Sequence, residues 1–215
     1  YMVLLFSTLG YFFPVFGEGN NLAAIIGASV VLWLLHFLVL RGIHEAAFVN
    51  TLTTVAKIVP LAVFIVIAVI AFKLDVYTAD FWGSNNPELG SVLDQARNMM
   101  LVTVWVFIGI EGASIFSARA EKRSDVGRAT VVGFIAVMLL LVMVNLLSQG
   151  ILAQAQLAGL KNPSMAAVLE HVVGPWGAML ISVGLIISLA GGLLSWTLLC
   201  AEILFTSASD HTMPA

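Results

Sequence analysis

The sequence predicts an all-α fold, a polytopic bundle of transmembrane helices, and three observations lead there. Hydrophobic residues fill 60% of the 215 positions and charged residues only 10%, where soluble domains average about 45–50% and about 25%. Mean hydropathy is +1.05. The apolar runs are unbroken, whereas the strands of a membrane β-barrel alternate polar and apolar residues. Nine Lys/Arg and twelve Asp/Glu are too few to clothe a surface in water. A soluble enzyme, a nucleic-acid binder and a disordered tail are excluded on these grounds.

Crossing about 30 Å of hydrocarbon takes roughly 20 helical residues, and the charged residues divide the chain into segments of that order. The spans fall at about residues 1–16, 22–40, 50–72, 99–118, 129–152 and 176–207. The first is truncated, because Tyr1 already stands inside an apolar stretch with no charged region before it. The last is longer than a bilayer needs, so it should tilt or project into water. Residues 1–215 thus form one transmembrane domain, expected to be an internal piece of a longer membrane protein. Between the third and fourth spans, residues 75–95 are polar, with Gly83-Ser84-Asn85-Asn86-Pro87 as turn material. Asn162-Pro163 predicts the start of a short helix carrying Met165, Val168, Leu169 and Val172 and ending at Gly174-Pro175.

Orientation follows from Lys and Arg. Loops on one side hold Arg41, Arg119, Lys122, Arg123 and Arg128; the opposite loops hold Lys73, Arg97 and Lys161, five against three. The first set is expected to face the cytoplasm. Glu18, Asp75, Asp80, Glu88, Asp94 and Glu170 lie on the other side.

Glu111 stands in the middle of the fourth span, where a carboxylate costs about 2.5–3.5 kcal/mol on insertion scales. Its neighbours, Gly109-Ile110-Glu111-Gly112-Ala113-Ser114, are small and polar at successive positions. They ring the helix and do not form one stripe, so a local break lining a cavity is expected. The alternative is a helix–helix contact through small residues with Glu111 paired across it. Lys57, three residues before Pro60, lies about two turns inside the third span. Snorkelling to the interface and a buried role both fit its position.

Gly184, Ser188, Gly191, Gly192 and Ser195 recur near helical spacing and predict a close-packing face. Asn145, Ser148 and Gln149 share a face of the fifth span, where interhelical hydrogen bonds are the default. Trp82 and Trp176 are interfacial anchors. Trp33, without polar company, reads as packing, while Trp105 gains weight from lying six residues before Glu111. Cys200, in an apolar run, reads as inert. His36, His44, His171 and His211 are scattered, and no metal site or cofactor is expected.

At these residues the chain resembles a known family. The run Val104-Trp105-Val106-Phe107-Ile108-Gly109-Ile110-Glu111-Gly112-Ala113-Ser114 is similar to the sixth helix of amino acid–polyamine–organocation superfamily antiporters, within their basic amino acid transporters of arginine/ornithine type. Gly192-Leu193-Leu194-Ser195-Trp196-Thr197-Leu198-Leu199 is similar to the eighth helix. Val49-Asn50 with Val55-Ala56-Lys57 resembles the fifth, and Tyr11-Phe12-Phe13-Pro14 the end of the third. The whole chain is covered, as about helices three to eight of a longer protein.

The resemblance implies a fold of two inverted five-helix repeats with substrate bound beside broken helices. It implies that backbone around Trp105, Ile108 and Gly109 holds the substrate's amino group, and that the Trp105 ring covers its cationic side chain. Glu111 belongs to an adjoining gate, Trp196 helps close the inner side, and Lys57 stands where sodium-coupled relatives bind sodium. The activity implied is exchange of cationic amino acids by alternating access in a bacterial inner membrane, without enzymatic chemistry. Exchange of a basic amino acid for its decarboxylated amine is the alternative. An ion channel is disfavoured, because pores use repeated rings of carbonyls or charges. The partners expected are a cationic amino acid, the lipid bilayer and, as one option, a second copy in a homodimer; nucleic acid is not among them.

Overall fold

A computed structural model of the chain describes residues 1–41, 43–83, 85, 89–110, 112–115, 120 and 122–209, without the side chains of 43–47, 50, 113, 114 and 123. Among these residues all regular structure is helical. Four helices are long and apolar enough to cross a membrane: Leu22–Arg41, Thr51–Ala71, Ser124–Gln149 and Pro175–Ser209. The chain is a multi-pass, all-α membrane protein. It divides into two compact units, Tyr1–Ala71 with Gly159–Ala215, and Phe72–Ala158.

In the first unit α1 (Met2–Gly10) ends well before residue 16, where the first span was expected to stop. Phe13, which precedes a proline, is extended at φ −129°, and Pro14–Phe16 forms a 3-10 turn. The Gly10 backbone then meets the Gly17 carbonyl with no room for a side chain between them. Asn21 starts α2 (Leu22–Arg41): its Oδ1 accepts from the Ala24 amide at 2.9 Å, and its Nδ2 donates to the Val15 carbonyl at 2.8 Å. One asparagine thus caps the helix and ties down the preceding turn.

The helix α3 (Ile43–Ala71) has Pro60 inside it. The helix α9 (Ser164–Val173) buries Ala166, Val168 and Leu169 and ends at Gly174, whose φ of 84° only glycine takes without strain. These pack on α10 (Pro175–Ser209), the central element of the unit, which also touches α1 and α2. Leu5, Phe6, Ala24 and Leu189 form a buried cluster, with Phe6 edge-on to Phe16 at 5.0 Å between ring centroids. A 3.6 Å ion pair between Lys161 and Glu18 puts these two loops, expected on one face of the membrane, side by side. Cys200, read as inert within an apolar run, is exposed.

The second unit begins with α4 (Leu74–Ala79), around which Phe72, Tyr77, Phe81 and Trp82 stack in sequence at 5.5, 5.2 and 4.8 Å. The Lys73 amide donates to the Gly150 carbonyl at 2.9 Å, and the missing side chain of Gly150 makes room for the Phe72 ring. A capping box opens α5 (Val92–Phe107): Ser91 Oγ accepts from the Asp94 amide, and the Asp94 carboxylate accepts from the Ser91 amide and hydroxyl at 3.1 and 2.6 Å. The Ser91 hydroxyl and amide hold the Asp94 carboxyl below its ordinary range.

A short α6 (Gly112–Ile115), the long α7 (Arg123–Gln149) and α8 (Gln154–Ala158) complete the unit. Asn145 and Ser148, expected to bond across helices, instead donate to the Leu141 and Val144 carbonyls of their own helix at 2.8 and 2.7 Å. A carbonyl one turn back is always within reach of such short side chains, so no partner helix is needed.

Candidate substrate site

The helix through Trp105 breaks where its sequence stops supporting a regular ladder. In a continuous helix the Ile108 amide would serve the Val104 carbonyl, and the Gly112 amide would serve Ile108. Each instead bonds three residues back, Ile108 to Trp105 at 3.3 Å and Gly112 to Gly109 at 3.0 Å. Ile108 is extended at ψ 130°, and Gly109 follows at φ 107°, a conformation that side-chain-bearing residues rarely adopt. The chain turns out of α5 here and re-enters helix at Gly112.

Trp105 and Ile108 flank this break and are 70% and 55% exposed. Behind it lies an apolar crevice of about 220 Å³ between Val106, Phe107 and Ile110 and the α7 residues Ala129, Thr130, Gly133, Phe134 and Val137. The rings of Phe107 and Phe134 stand 5.1 Å apart and close one wall. Thr130 turns its hydroxyl to the Val126 carbonyl at 2.8 Å, which leaves the lining without a free polar tip. Glu111, next in the sequence motif, lies outside the described residues.

Lys57 and Trp196 belong to the first unit. The small-residue face of α10 meets α3 there: a side chain at Gly184 would strike Pro60, and one at Gly191 would strike Thr53. Lys57 lies one turn from each of these two contacts, so it stands at the seam, although its side chain is exposed. About two turns beyond Lys57 along α10, the Trp196 indole N–H donates to the Tyr1 hydroxyl at 3.2 Å. A side-chain carbon at Gly192 would approach the Tyr1 ring to 3.0 Å. Trp33 is not without polar company: His36 stands edge-on to it at 5.7 Å.

Two residues that the sequence pattern did not single out emerge here. Tyr1 is one, since nothing local links residues 195 positions apart. The other is Glu202, only 7% exposed on α10. An acid inside an apolar run was the signal that marked Glu111, and Glu202 carries it too. No group of His, Cys, Asp and Glu suited to a metal occurs among the described residues.

Comparison with known proteins covers the whole chain. A family model described as amino acid permease matches residues 1–215. An arginine/ornithine antiporter of Pseudomonas aeruginosa is 74% identical over 214 residues, which is 100% of this chain and 44% of that protein. An L-lysine transport protein of Corynebacterium glutamicum is 50% identical and an arginine/agmatine antiporter of Chlamydia caviae 48%, again over 100% of this chain, but 43% and 45% of theirs. The chain therefore spans less than half the length of these relatives. With a helical membrane fold, a break after Trp105 and a match over every residue, the chain belongs to the amino acid permease family of the amino acid–polyamine–organocation superfamily.

Proposed function

We propose that the full-length transporter exchanges cationic amino acids, arginine for ornithine, across a bacterial inner membrane. The observation that carries this reading is the break at Ile108 and Gly109 directly after Trp105. Unwound backbone offers carbonyls to an ammonium group, and an exposed indole beside it offers a face to the cationic side chain. In this reading Trp105, Ile108 and Gly109 hold the substrate, Glu111 belongs to the gate beside them, and Trp196 closes the inner side. Trp196 is already tethered to Tyr1, which fits a side chain whose orientation matters.

Lys57 replaces a coupling ion. Its place one turn from both the Gly184–Pro60 and Gly191–Thr53 contacts supports this, because a covalently held cation beside that seam cannot dissociate as an ion would. A second copy of the transporter in a homodimer and the surrounding lipid complete the expected partners. A basic amino acid exchanged for its amine is the second reading, favoured by the relative named as an arginine/agmatine antiporter.

The test is uptake of labelled arginine into proteoliposomes loaded with ornithine, or with agmatine, with choline replacing sodium. Exchange of arginine for ornithine should run at full rate without sodium, since swapping one cation for another moves no net charge. Lys57→Ala should reduce the rate by more than about 100-fold while the protein still inserts, as expected for losing an intramembrane charge with a stated role. Sodium-dependent uptake, or unimpaired exchange by Lys57→Ala, would return Lys57 to an ordinary snorkelling lysine. Preference for agmatine inside would establish the second reading.

A further inference from the structure

Glu202 differs from every other acid whose side chain is described. Glu18, Asp75, Asp94, Asp125 and Glu170 are exposed and Asp80 is half-exposed, whereas Glu202 lies under protein cover. It is the one charged side chain buried among the described residues. At 3.6 residues per turn it shares a face of α10 with Ser195, Gly191 and Gly184, residues seven, eleven and eighteen positions back. That face is the one that packs on α3.

The register of this packing is fixed. Gly184 lies against Pro60 and Gly191 against Thr53, so seven residues of α10 match seven of α3, running the opposite way. Eleven residues past Gly191, Glu202 comes level with the start of α3 at Ile43. The seam changes character along its length. Toward the Pro175 end the buried residues are mostly apolar, Phe64, Ala68, Ala178 and Ile181, with the hydroxyl of Ser182 the polar exception. From Pro60 toward the start of α3 that face carries the exposed Lys57 and then Thr53, and the α10 face carries Ser188 and Ser195. Glu202 ends this polar half, about 40 Å along α10 from Pro175, on the side that the Lys and Arg residues mark as cytoplasmic.

We propose that Glu202 is a second cation-binding residue, an inner-mouth station that receives the ammonium or guanidinium group of the cationic amino acid on its way to or from the cytoplasm. The inference rests on the exchange reading above. A carboxylate under protein cover keeps its charge only beside donors or a cation. A cationic substrate arriving from inside can take over that role without changing the local charge, and among the described residues the opposite end of the same seam buries no second carboxylate. The station therefore acts from one side of the membrane.

Sidedness supplies the test. In right-side-out and inside-out vesicles containing the full-length transporter, Glu202→Gln should raise the KM for ornithine at the inner face roughly tenfold, a change of the size expected for one partly covered charge pair. The KM for arginine at the outer face should change less than about twofold, and Glu202→Asp should restore most of the inner-face affinity. An equal change at both faces, or none at either, would overturn the proposal. Should Glu202→Gln fail to assemble, carbodiimide modification of Glu202 in the wild-type protein decides. Protection by ornithine supplied at the inner face supports the station, and undiminished modification rejects it. If wild-type vesicles show no arginine/ornithine exchange, the exchange reading fails; if they exchange but Glu202 shows no inner-face effect, only this inference does.

Discussion

Helices α10 and α7 are nearly equal in apolarity and opposite in packing. Their most apolar stretches have mean hydropathy 2.2 and 2.7, yet 44% of the first is buried and 0% of the second. Hydropathy explains why each enters a membrane and says nothing about what each touches there. Within lipid the driving force between helices is close contact, not the removal of apolar surface from water. Glycine makes such contact available only where a partner arrives. At Gly177, Gly184 and Gly191 of α10 a side chain would collide with a neighbour, whereas at Gly127 and Gly133 of α7 nothing lies within 4 Å. The same residue type is a lock in one unit and, at Gly133, part of the wall of an open crevice in the other.

The sharpest way to break this contrast is to fill the glycines. Gly191→Leu must displace Thr53 and should destabilise the protein by about 3 kcal/mol. Gly133→Leu should cost less than about 1 kcal/mol, because it meets open space. Thermal unfolding of both variants in detergent measures the difference, and equal losses would mean that packing does not distinguish the two helices. A smaller effect is expected from Trp105→Ala, where a desolvated cation–π contact of about 2 kcal/mol gives a roughly thirty-fold loss of arginine affinity. Trp33→Phe, at a tryptophan 60% exposed on α2 whose ring neighbours are His36 and Phe37 of its own helix, should change affinity less than about twofold. Binding titrations that found similar effects would place Trp105 with the packing tryptophans.

The smallest effect concerns the α5 capping box. The Asp94 carboxyl titrates below its ordinary value because Ser91 donates to its charged form. A lowered folded-state pKa contributes stability above the unfolded value of about 3.9 and loses it as pH falls through the folded one. The first turn of α5 should therefore fray only below about pH 4. Amide hydrogen exchange at Ser91 and Asp94 should accelerate there relative to the rest of α5. In Asp94→Asn this acid-dependent step should vanish, and its persistence would locate the titration elsewhere.

What could be read from the sequence was local. The break after Trp105 was legible because Gly109 and Gly112 bracket an acid in an apolar run, and the backbone turns at Ile108 and Gly109. The short helix before Gly174 was legible from its proline, its spacing and its closing glycine. The α10 face was legible as small residues, but not its partner, since Pro60 and Thr53 carry no mark that names α10. The end of α1 at Gly10 was missed because the residues between it and Pro14 are as apolar as those before. The Tyr1–Trp196 bond and the burial of Glu202 were invisible for a common reason: both depend on which helices meet, and periodicity within one helix does not encode that.

At 35 residues and 1.5 Å each, α10 is a rod about 52 Å long, well beyond the roughly 30 Å of hydrocarbon it crosses. Gly184 and Gly191, about 10 Å apart along the rod, both hold it against α3, so that stretch cannot tilt by itself. About 27 Å of helix runs on from Gly191 to Ser209. A bend of roughly ten degrees just past Gly191 would carry Glu202 about 3 Å sideways. The inner end of the rod can swing while both glycine contacts stay closed.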